Sequence, residues 1–195
     1  MAFNELDAVN RILTLTGEAP VTSLGTPRSA TVAAARGALE YARKALTGDA
    51  HFWNTERRSF TPSADDDYEI RFGPEVVDVR PLQAEYADHR ARFVLRGDQL
   101  WDQQENTGRL EGYGTFYLMV VRDLPFDDLP QPVQQMVIAD ALRAVASQQA
   151  DPAMMQVADR EYMAAQISYR RFITAPGRVQ FLRPHTAYDF RRALQ

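Results

Sequence analysis

The chain contains no cysteine among its 195 residues. That absence excludes a disulfide framework, a thiolate zinc site and a cysteine nucleophile. Histidine is almost as scarce: His51, His89 and His185 are scattered, none with a second histidine or an acid at metal-ligand spacing on one helix. A metal site therefore has no support in the residues. Lys44 is the only lysine, so the basic side chains are nearly all arginine. Arginine suits protein interfaces, and GC-rich coding explains the same bias equally well. No apolar run is long enough to span a bilayer, and no membrane partner is expected. The first apolar segment is broken by Asn4, Glu5, Asp7 and Arg11, unlike a signal peptide. A cytoplasmic origin fits these absences.

Catalytic motifs are missing as well. Gly108 to Gly114 is not followed by Gly-Lys-Ser/Thr, so it is no phosphate loop. There is no Gly-x-Ser-x-Gly elbow. Asp65-Asp66-Asp67 is an acidic loop without the glycine and distal glutamate of a calcium loop, and a solvated loop is expected. Arg96-Gly97-Asp98 spells an adhesion tripeptide, but Gly-Asp in a hairpin turn serves the backbone. No pair of carboxylates stands out for glycoside hydrolysis, whose spacing is set by the fold. The expectation is no catalytic residue, no cofactor and no metal.

Net charge is −4, which argues against a general nucleic-acid binder. It is unevenly spread. From Arg170 onward there are six arginines and one aspartate, a local +5, which leaves −9 for the rest. A basic tail on an acidic body is expected to meet an acidic partner surface or a neighbouring copy.

What the chain does contain is helical periodicity at both ends. Leu6, Val9, Ile12, Leu13 and Thr16 predict a first helix capped near Asn4 and ended by Gly17. Thr26 to Leu46 predicts a long helix, started by Thr26-Pro27 and stopped by Gly48. Val32, Ala35, Leu39, Ala42 and Leu46 form its buried stripe, and the rest of the chain is expected to pack around it. His51, Phe52 and Trp53 then cluster as an expected core plug. Pro130-Gln131-Pro132 opens a third helix, with Asp127 and Asp128 placed to complement its dipole. Its stripe is Val133, Met136, Val137, Ala141, Ala144 and Val145. Asp151-Pro152 starts a fourth helix, along which Met155, Ala158, Tyr162, Ala165, Tyr169 and Phe172 repeat as a seam. Helices three and four are expected to pair as a hairpin, and helices one and two as its match.

Between these halves the period changes to short extended runs: Arg57–Thr61, Val76–Arg80, Arg92–Arg96, Gln99–Asp102 and Thr115–Arg122. Gly97-Asp98 makes the clearest hairpin, and Gln103 to Gly114 is expected to be an exposed loop. The predicted fold is α+β: a four-helix bundle core (1–54 and 124–174), an inserted small antiparallel β subdomain (55–123) and an extended C-terminal tail (175–195). In the tail, Arg178, Phe181, Leu182, Arg183, Tyr188, Phe190, Arg191 and Arg192 are spaced without amphipathic period. An arm docking aromatic anchors and arginines into another subunit has this form. So does a strand returning to its own domain.

Four blocks carry a resemblance. Ala8-Val9-Asn10-Arg11-Ile12-Leu13 runs to Gly17-Glu18-Ala19-Pro20-Val21, and an Ala-Arg helix ends in Phe52-Trp53-Asn54. Arg96-Gly97-Asp98-Gln99-Leu100-Trp101-Asp102 and the Leu129-Pro130 helix start, with Ile138 and Ala141 beyond it, follow in order. Over nearly its whole length the chain resembles the tail tubular protein A family of short-tailed phages (podoviruses). The resemblance implies a structural virion protein made in the host cytoplasm. It implies a head-to-tail adaptor whose twelve copies form a homo-oligomeric ring between the portal protein and the tail nozzle protein. Double-stranded DNA would pass through the lumen without sequence readout, and no catalytic residues come with the assignment. The competing readings are a tail-associated glycan hydrolase, which needs two facing carboxylates in a cleft lined by aromatics, and a stand-alone helical interaction module.

Overall fold

The structure, a computed structural model, describes residues 3–25, 29–82 and 92–175. The eight tail candidates and the Thr26-Pro27 helix start lie outside the described residues. The fold is α+β, with four helices and two small antiparallel sheets. Over the described residues the chain divides into two compact units, a helical one of residues 3–46 and 124–175 and a β one of residues 47–123.

In the helical unit, α1 (Glu5–Leu15) opens with a reciprocal capping box between Asn4 and Asp7. Helix α2 (Ala30–Thr47) follows, with the Ser29 hydroxyl accepting from Val32 N–H at 3.2 Å. Helix α3 (Gln131–Gln149) carries proline in its first turn. Helix α4 (Pro152–Thr174) is capped by Asp151, whose carboxylate accepts from Ala153 N–H at 2.9 Å. The predicted stripes of α1 and α2 are buried, Leu6 and Leu46 only in part. The organising helix, however, is α3 and not α2. Helix α3 is buried on nearly every side, including Val133, Val137, Ile138, Leu142 and Val145. Each such side chain contributes about 1.5–3 kcal/mol of burial. It packs against both α4 and α1, so the partner of α1 is α3. Asp127 also serves α1: its carboxylate accepts from Glu5 N–H at 2.9 Å, at the start of that helix.

The β unit holds a three-stranded sheet in the order β1 (Thr55–Phe60), β5 (Phe116–Arg122), β2 (Val76–Pro81), all antiparallel. A two-stranded hairpin joins β3 (Phe93–Arg96) to β4 (Gln99–Asp102) through Gly97, whose φ of +66° glycine adopts without strain. Alternate residues of β5, Phe116, Leu118 and Val120, point into one core with Ile70, Val79, Phe93 and Leu100. The segment Gln103 to Gly114 is not simply an exposed loop. Leu110 is fully buried in this core, and Tyr113 packs edge-on against Phe93. The ring cluster after α2 is not a core plug either: His51, Phe52 and Trp53 are half-buried, and the buried residue is Asn54.

Candidate functional site

Three of the four motif blocks each build a joint. In α1, Asn10 turns its amide towards the following loop. Its Nδ2 donates to Val21 C=O at 2.8 Å and its Oδ1 accepts from Val21 N–H at 2.7 Å. Two bonds to one backbone unit fix the Gly17–Val21 loop on the helix, which explains the spacing between Asn10 and Val21. No aliphatic side chain can do this.

The second joint follows α2. Asn54 is 2% exposed, so its amide must find partners within the protein. It donates to Thr47 C=O at 2.8 Å and Asp49 C=O at 2.9 Å, and accepts from His51 N–H at 2.7 Å. Thr47 in turn donates its hydroxyl to Asp123 at 2.6 Å. The entry and exit of the β unit are thereby tied together.

The third joint is the most strongly charged. Asp102 ends β4 and has no exposed surface. The Arg92 guanidinium meets it through Nη2 at 2.7 Å and Nε at 3.0 Å. Tyr113 donates its hydroxyl at 2.8 Å, and Gln104 donates its backbone N–H at 2.9 Å. Arg92 also reaches the Tyr113 hydroxyl. Burial pushes the Asp102 carboxyl up, but the hydrogen bonds from Arg92, Tyr113 and two backbone N–H groups outweigh it and hold the pKa at about 2. Burial and the Asp102 carboxylate push the Tyr113 phenol up to about 12. A locked ion pair of this kind positions a loop and has no proton to exchange near neutral pH. Sequence reasoning placed the hairpin but missed this joint. The available signal was Arg92 and Asp102 as opposite charges at the open end of a predicted hairpin.

The remaining candidates are surfaces. His51 stacks on Trp53 at 5.1 Å, while His89 and His185 lie outside the described residues. Among the described residues no three His, Asp or Glu side chains come together as metal ligands. No helix among them is long and apolar enough to cross a membrane. A cavity of about 150 Å³ in the helical unit, lined by Phe3, Leu15, Ile138 and Leu142, is small for an organic ligand. A wider groove of about 320 Å³ in the β unit lies along Phe60, Thr61, Asp66, Glu69, Ile70 and Arg71. On α4, Met163 and Ile167 are 67% and 54% exposed, and sequence reasoning, following the opposite seam, passed over them.

Residues 6–177 match the family model described as tail tubular protein, a span that contains all three joints and runs through both compact units. The chain belongs to the tail tubular protein family. Tail tubular protein A of Klebsiella phage KP34 is 30% identical over 127 residues, covering 65% of this chain. The matched part spans 63% of that relative's length, under two thirds of it. As a tail tubular protein the chain is a structural component of a phage tail. The three joints suit such a role, since each holds a loop or the two chain ends of the β unit in place.

Proposed function

We propose that the chain is a head-to-tail adaptor. Twelve copies form a ring between the portal and the tail nozzle, and DNA passes through its lumen. In this reading α1 to α4 act as a four-helix bundle that makes the ring wall, with residues 55–123 as an inserted module. Residues 175–195 serve as an arm whose Arg178, Phe181, Leu182, Arg183, Tyr188, Phe190, Arg191 and Arg192 dock on a neighbouring ring protein. The observation that carries the reading is the extent of the family match, which runs through both units and not through one shared module. The acidic body before Arg170 adds a physical reason, because a negative wall lets phosphates slide past.

The arm supplies the test. The chain ending at Ala175 is expected to keep the helical circular dichroism of the full chain and to lose most of its co-sedimentation with the cognate portal. Unfolding or aggregation of the truncated chain would place the tail in the core and remove the arm from the reading.

A further inference from the structure

Helix α4 has one face that nothing among the described residues covers. Val157, Arg160, Met163, Ala164, Ile167 and Arg171 recur along it at helical spacing, and all are exposed. Its charges are one-sided. Asp159 and Glu161 are engaged by Arg143 at 2.9 Å and Arg11 at 2.7 Å. Arg160, Arg170 and Arg171 have no charged partner among the described residues. The surface is therefore an apolar strip edged by free guanidinium groups. Two such faces would repel each other, so the complement must be acidic and apolar.

The β unit provides that complement. Its described residues carry thirteen acidic and eight basic side chains. The groove is lined by Phe60, Thr61, Asp66, Glu69, Ile70 and Arg71, with Asp65 and Asp67 on either side of Asp66 in the chain and the Arg71 charge already met by Glu69 and Asp98. Asp66 accepts from the Ser63 hydroxyl and Glu69 holds Arg71, whereas Asp65 and Asp67 have no side-chain partner among the described residues.

We propose that the exposed face of α4 docks into the β-unit groove of a second copy of the chain. Met163 and Ile167 enter the groove, and Arg170 and Arg171 meet Asp65 and Asp67. Such a contact joins two different surfaces, so it propagates from copy to copy and closes into a ring when the rotation permits. The inference rests on the ring reading and names the surface that would build the ring. Nucleic acid is the less suitable occupant, because phosphate contacts make no use of an exposed methionine and isoleucine.

The cysteine-free chain makes the test direct. The full-length double variant Ile167→Cys/Thr61→Cys, assembled with portal and oxidised, is expected to give a ladder of covalent multimers, and neither single variant to give more than a dimer. Separately, Arg170→Glu/Arg171→Glu is expected to weaken self-association about tenfold or more, with recovery when Asp65→Arg/Asp67→Arg is added. Wild-type chain that reaches ring mass while the ladder and the charge rescue both fail would overturn this surface and leave the ring standing. Wild-type chain at protomer mass with and without portal would overturn both. A charge-reversed chain that still reaches ring mass but no longer retains duplex DNA would assign the face to nucleic acid and overturn the proposal.

Discussion

The deepest polar side chain of the helical unit is Gln134, a neutral amide, and that of the β unit is Asp102, an ionised carboxylate; both are fully buried. Gln134 is satisfied by Phe3 and by the Phe126 carbonyl, at distances of 2.8 to 3.1 Å. Around it the core is aliphatic and spread along helices. The β unit has a smaller core and closes it with a charge cluster of Arg92, Asp102 and Tyr113. A neutral amide is indifferent to pH, and an aliphatic core loses stability in proportion to the volume removed. A buried ion pair contributes little net stability while intact, yet it is costly to break, because removing one partner strands the other. The two units should therefore fail in different ways. Both tryptophans, Trp53 and Trp101, belong to the β unit, so their fluorescence reports on it while the far-ultraviolet helix signal reports on the other.

The largest effect is expected from Asp102→Ala. It leaves Arg92 and Tyr113 facing a void, at a cost of about 3–5 kcal/mol. In urea the tryptophan transition should move to much lower denaturant while the helix transition stays near its original midpoint. Coincident shifts of both signals would show that the units unfold as one.

Next is Leu142→Ala, on the fully buried face of α3, with an expected cost of about 3 kcal/mol. The pattern should reverse, with the 222 nm transition moving and the tryptophan transition following less.

A pH titration sharpens the contrast further. The Asp102 pKa is lowered from 3.8 to about 2 in the folded state, so its contribution is complete above pH 4 and is lost as pH falls towards 2. That contribution is on the order of 2 kcal/mol. Tyr113 has the opposite sign. Its pKa is raised from 10 to about 12, so its contribution is present below pH 10 and lost as pH climbs towards 12. The tryptophan-reported stability should fall in both windows, and Asp102→Ala should flatten the acid one.

The smallest expected effect is that of Asn10→Ala, which removes both bonds to Val21. A loss of about 1–2 kcal/mol is expected, with faster amide exchange confined to the Gly17–Val21 loop and its helix.

Much of this was legible from local period. Helices α1, α3 and α4, the β3–β4 hairpin and the burial on α1 follow from the spacing of apolar residues and from caps such as Asn4 and Asp151. What the residues could not reveal depends on contacts distant in sequence. Asp127 serves a helix that begins 122 residues earlier. Leu110 looks like part of a polar loop until β5 and the hairpin close over it. The exposed strip on α4 was hidden by the seam on its opposite face, since one helix can carry two apolar stripes and the period alone does not say which is covered. The Arg92–Asp102–Tyr113 joint spans a hairpin and a loop, and only the register of Phe93 opposite Asp102 brings it together.

The measurement that bears most directly on the account is the native mass of the purified chain, alone and after mixing with its cognate portal. The account predicts a high-mass species containing a ring of many copies on the portal. A chain that remains a protomer in both conditions would contradict it.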